Sequence, residues 1–166
     1  MFDIKSPATF LEYFSFLQDA YLLEFVPIFN HSLKVQARNP KNVYIMDMGL
    51  YTENSISISD NMGRRLENLI FLHLRRKYKH IFYYKDKGKC DFITMEKNTV
   101  KEAIQVCLTI NDENFDREFN GLLGAMQNLG LKEGYIVTLN QSDLFEKEDM
   151  TIKMLPVHDF FEIIVL

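Results

Sequence analysis

The chain has 166 residues, 47% of them hydrophobic, enough for one core of its own and a small appended unit. Its 23 acidic residues outnumber 19 basic ones for a net charge of -4, which excludes a broadly basic nucleic-acid binder but leaves room for a local basic face. Two cysteines without metal-ligand spacing and no apolar run of bilayer length predict a soluble, cytoplasmic protein with no membrane partner.

Ser6 and Pro7 open a helix, a capping side chain followed by a proline in the first turn, and Phe10, Leu11, Phe14, Leu17, Ala20 and Tyr21 recur at helical spacing. Residues 25–29 and 32–36 read as two strands about an Asn30-His31 turn. A helix followed by such a hairpin matches the back half of a winged helix, so residues 1–40 are set apart as a partial winged-helix element. After a polar joint at 38–42, residues 43–46 form a short apolar strand ending at Asp47, and the serine-rich stretch 51–60 reads as a loop.

A long helix is predicted over 61–78, with Leu66, Leu69, Ile70, His73 and Leu74 on one stripe. Three strands follow at 81–85, 91–95 and 101–108. A helix over 111–129 turns Phe115, Phe119, Leu122, Leu123, Met126 and Leu129 inward and stops at Gly130. Strands at 134–139 and 151–155 complete the pattern. Helix, three strands, helix and strand is the order of an α/β layer sandwich, here one domain over 41–166. No repeat and no Walker-type glycine loop appears, so no nucleotide site is expected.

Chemistry converges on three polar residues. Side chains alternate across a strand, so Gln105 and Cys107 share a face, as do Asp91 and Ile93. With 96–99 as the hairpin connection, Asp91 falls opposite Gln105, and Glu67 in the preceding helix reaches the same sheet face. Two carboxylates and an amide oxygen form an oxygen-only pocket suited to Mg2+ or Mn2+. Such an ion would polarise a phosphate and lower the pKa of an attacking water. A structural reading stands beside this one: Glu67 as an exposed helix acid beside an arginine, Asp91 as the end of a turn, Gln105 as a strand residue satisfying a backbone group. Spacing alone leaves both open. Arg64, Arg75, Arg76 and Lys77 are candidate phosphate contacts or simply a solvated helix face. No histidine is spaced to bind zinc or to activate Cys107.

Residues 4–166 resemble the C-terminal half of a family of bacterial and archaeal AAA+-type ATPases. The likeness is carried by 13–23, 38–41, 43–50, 63–69, Cys90-Asp91-Phe92, Ile104-Gln105-Val106-Cys107, Arg117-Glu118, and 152–156 with Phe160-Phe161. That half is a domain of unknown function with a restriction-endonuclease-like PD-(D/E)xK fold. The resemblance implies an α/β/α sandwich with a mixed sheet, preceded by a partial winged-helix element. It implies an ATPase portion normally in the same polypeptide, so this chain is a trimmed piece or a naturally short relative. It places Glu67, Asp91 and Gln105 on the nuclease-like positions. Cys107 stands where an active nuclease has its lysine, and Lys89 stands where relatives often carry an acid. Lys89 lies two residues from Asp91, hence on its strand face, and could replace the lost lysine. The expected function is a nuclease-like module that no longer cuts and serves in nucleic-acid or protein binding. The alternative is a Mg-dependent DNA or RNA endonuclease in which Glu67, Asp91 and Gln105 hold the metal and Lys89 steadies the water. A homo-oligomer is also expected, through apolar surface left on residues 10–29.

Overall fold

Three consecutive strands, β3 (His80–Lys85), β4 (Lys89–Glu96) and β5 (Thr99–Val106), build an antiparallel meander, with burial alternating in β3 and continuous through the middle of β4, which is covered on both faces. The structure, a computed structural model, describes residues 7–53 and 62–163. A crossover through α5 (Phe115–Leu129) carries the chain to β6 (Glu133–Thr138), which pairs parallel to β5. From there β7 (Asp143–Lys147) turns back to β8 (Met150–Pro156), which lies parallel to β6. Among the described residues the sheet therefore runs β3-β4-β5-β6-β8-β7.

Helices cover both faces. On one side α4 (Met62–Lys77) and α6 (Val157–Ile163) bury Ile70, Phe71, Leu74 and Phe160 against Phe92, Ile104 and Val137. On the other, α5 buries Leu122, Ala125 and Met126 against Cys90, Ile93, Ile136 and Ile152. Fully burying each such side chain contributes roughly 1.5–3 kcal/mol, so the two apolar layers fix the helices to the sheet. No helix among the described residues is long and apolar enough to cross a membrane.

The N-terminal region departs from expectation. The first helix, α1, runs Pro7–Asp19, while Ser6 lies outside the described residues. The hairpin expected over 25–36 does not form. Instead β1 (Leu23–Val26) pairs antiparallel with β2 (Asn42–Ile45), and Leu33–Arg38 forms a short helix, α2. Lys34, Gln36, Ala37 and Arg38 are good helix formers set against the apolar alternation of Leu33 and Val35, and with β1 paired to β2 the stretch is left to form the helix. Part of the expected 51–60 loop is helical too: α3 spans Met48–Glu53, its first turn held by the Gly49 N–H donating to Asp47 Oδ1 (2.7 Å), while 54–60 lie outside the described residues. The buried amide of Asn68 ties α4 to β2, accepting from Ile45 N–H and donating to Ile45 C=O, both at 2.8 Å.

Candidate functional site

Asp91 is delivered to its place by a β-bulge. Phe82 pairs with Ile93 and Tyr84 with Cys90, so Asp91 and Phe92 together oppose Tyr83. Phe92 and Ile104, paired across β4 and β5, go to the α4 layer, which sets Asp91 opposite Gln105 as the sequence predicts. The freed Asp91 N–H donates to Gln105 Oε1 (3.2 Å), and the Val106 N–H donates to Asp91 Oδ2 (2.9 Å). The bulge thus points a buried carboxylate at the end of β5 with its backbone satisfied by a side chain.

Glu67 arrives from the other layer. Its Oε1 accepts from the Tyr44 hydroxyl (2.6 Å), and Tyr44 is itself stacked on Phe71 with ring centroids 4.4 Å apart. Glu67, Asp91, Gln105 and Lys89 all line one open cleft of about 700 Å³, so the structure brings the four predicted residues together. Lys89 Nζ sits 2.8 Å from Asp91 Oδ1.

Sequence reasoning missed Glu118, which lines the same cleft and is buried. It accepts from Gln105 Nε2 at 2.5 Å and from the Arg117 guanidinium at 2.6 Å. A signal was present, because Glu118 lies three residues after Phe115 and four before Leu122, on the inward stripe of α5. Two glycines allow α5 this close. A Cβ on Gly121 would fall 2.3 Å from the Lys89 carbonyl oxygen, and one on Gly88 would fall 2.9 Å from Gly121 Cα. Gln105 is therefore held at both ends. Turning its amide over would aim N–H at N–H toward Asp91 and oxygen at carboxylate toward Glu118.

Charge sets the chemistry. Burial raises the Asp91 carboxyl above its ordinary pKa, with the Lys89 ammonium opposing and failing to cancel it. Burial also raises Glu67, and the nearby Asp91 charge adds to it. Burial alone pulls the Lys89 ammonium down, but the Asp91, Glu67 and Glu118 carboxylates outweigh it, leaving its pKa above the usual lysine value. Lys89 is therefore a fixed positive charge and no proton acceptor at neutral pH. Cys107 does not line the cleft. Its thiol is pushed up by burial and by Glu118, which removes the thiolate a nucleophile needs.

The donors as they stand do not fit a divalent ion. Lys89 occupies Asp91 Oδ1, and the Gln105 amide oxygen is turned onto the Asp91 N–H. Among the described residues no three His, Cys, Asp or Glu side chains are placed to hold a metal.

The basic helix divides. Arg64 is exposed and lines a second hollow that adjoins the cleft, with Lys41, Tyr44, Glu67, Asn68 and Lys89. Arg75 lies at the other end of α4, eleven residues or about 16 Å further along the axis. Its guanidinium pairs with Glu24 (2.8 Å) and donates to the Lys79 carbonyl (2.5 Å), a structural clasp on the helix end. Arg76 is exposed at the same end, and Lys77 lies over the Tyr78 ring at 5.3 Å.

The chain is 38% identical, over an alignment of 144 residues that covers 83% of it, to an uncharacterized protein of Methanocaldococcus jannaschii. The chain spans about a third of that protein, 31% of its length. No family model matches the chain, and no solved structure matches it.

Proposed function

We propose that the chain is a nuclease-like C-terminal module, of the kind attached to AAA+-type ATPases, whose cleft binds without cutting. One observation carries this reading: Lys89 is seated on Asp91 at 2.8 Å, in the place a catalytic metal would need, while Gln105 is spent between Asp91 and Glu118. A neutral amide at 105 and a thiol at 107 leave the site without the metal-binding charge and the free lysine that hydrolysis of a phosphodiester demands. What remains is an acid-floored cleft with Arg64 and Lys87 around it and the exposed Arg117, paired on one side to Glu118, at its edge, a pattern suited to the phosphates and hydroxyls of a nucleic acid.

Calorimetric titration of Mn2+ into the wild type and Asp91→Asn at low salt, beside a nuclease assay, tests the first half. No saturable heat and no cleavage are expected from either protein. Binding and cleavage that both vanish in Asp91→Asn would overturn the reading and establish a metal-dependent endonuclease. Fluorescence anisotropy with labelled single-stranded DNA and RNA tests the second half. Arg64→Glu with Arg117→Glu should weaken binding at least tenfold. If reversal leaves affinity unchanged, the cleft serves a protein partner.

A further inference from the structure

We infer that two copies of this chain associate through α1 and the stretch 33–41, each copy laying its α1 on the other's 33–41. The reading does not depend on what the cleft binds.

The starting point is a helix with a polar stripe of Glu12, Ser15 and Asp19 and a broad apolar remainder left open. On α1, Leu11 is 70% exposed and Phe16 65%, with Phe10, Tyr13, Phe14 and Leu17 also open to solvent; just past its end, Tyr21 is 82% exposed and Leu22 is open too. Apolar surface gathered in this way marks a place of contact. What holds α1 to the rest of the described chain is slight: Phe14 meets Phe25 edge-on, with centroids 5.7 Å apart. These eight side chains are on average about half exposed, and at about 200 Å² each they leave on the order of 800 Å² of surface uncovered. That exceeds the roughly 300–600 Å² of the largest apolar patch on a typical monomer. It equals the roughly 800 Å² that each partner contributes to a stable interface.

Charge identifies the occupant. The helix carries Glu12 and Asp19 and no lysine or arginine, which disfavours nucleic acid and anionic membrane alike. Residues 33–41 carry Lys34, Arg38 and Lys41 and no acid, with Leu33 78% exposed among them. The two adjoin where the stretch ends, since Lys41 Nζ stands over the Phe25 ring that Phe14 touches, and half-exposed Val43 pairs with Phe25 across the β1–β2 ladder. An acidic apolar helix beside a basic apolar stretch is self-complementary. A two-fold axis satisfies both contacts at once and closes the assembly at two.

Sedimentation velocity on the whole chain, between about 1 and 100 μM, reads the result. The wild type is expected to dimerise, and Phe16→Glu to weaken dimerisation at least tenfold. Charge exchange then tests the pairing. A chain carrying Glu12→Lys and Asp19→Lys is basic on both surfaces, and one carrying Lys34→Glu and Arg38→Glu is acidic on both. Each alone should be monomeric, and an equimolar mixture should dimerise. All five substituted residues are exposed, and circular dichroism verifies that each variant is folded. A monomeric wild type across the range, a dimer indifferent to Phe16→Glu, or a mixture of folded exchange variants that stays monomeric would each overturn the inference.

Discussion

Asp91 is 3% exposed, whereas the lysine that neutralises it is half in solvent, so the pair is held by a cation that water can also reach. Replacing Lys89 by alanine leaves the Asp91 carboxylate with the Val106 N–H alone, and should cost about 1–3 kcal/mol at pH 7. The cost should shrink in acid, where Asp91 takes up a proton and needs no cation. Urea unfolding at pH 7 and at acid pH measures both values. Glu67 behaves differently because its neutral partner, the Tyr44 hydroxyl, also suits an amide oxygen. Its raised pKa means that the native chain holds a proton over a pH window in which the unfolded chain has lost it. Stability therefore falls as pH climbs from the ordinary glutamate value through the raised one, and the full penalty stands above it. Glu67→Gln should accordingly stabilise by about 1 kcal/mol at pH 7, with the gain fading as pH falls to the ordinary glutamate range. Equal gains at both ends of that range would refute the assignment. For Arg75→Ala, loss of the Glu24 pair and the helix-end carbonyls predicts about 1 kcal/mol of destabilisation with nucleic-acid affinity unchanged.

At the level of elements, the approach of α5 to the β3–β4 turn governs whether Glu118 reaches Gln105. Gly121→Ala drives a methyl into the Lys89 carbonyl, so α5 must lift or the hairpin must bend. We expect a loss of about 1–3 kcal/mol in thermal unfolding. Glu118→Gln, which adds no bulk, should leave the helix seated. The sequence made the larger elements readable, because α4 and α5 carry a sustained period of 3.6 and the meander strands are short apolar runs separated by polar turns. It also placed Asp91 opposite Gln105, although the bulge that aims Asp91 left no mark in the alternation. Short elements were harder. Over six residues, Leu33–Arg38 satisfies a strand pattern and a helix composition equally, and only the pairing of β1 with the later β2 decides. β7 was not anticipated, since its five residues are largely exposed and Phe145 alone anchors it, against Phe115 and Phe119. Glu118 escaped because an acid on an apolar stripe reads as an interruption until its partners are seen. For the basic run, the helix was legible but not its direction: only Arg64 ends beside the cleft.

Across the whole molecule, the site gathers residues of unequal separation along the chain. Lys89, Asp91 and Gln105 belong to a meander whose strands are joined by short turns, whereas β6 and β8 join in parallel only after α5 has crossed the sheet. Closing short loops costs little entropy, and parallel pairing across a long crossover costs more. The meander is thus expected to form the folding nucleus, with α5 docking on the downhill side of the barrier. Ile93→Val, in β4, should slow folding, with a φ-value above about 0.5. Leu122→Ala, in α5, should chiefly quicken unfolding, and chevron plots of the two variants would separate the limbs. Asp91 and Gln105 would then meet while the chain is still climbing, and the cleft would acquire its Glu118 wall only during descent.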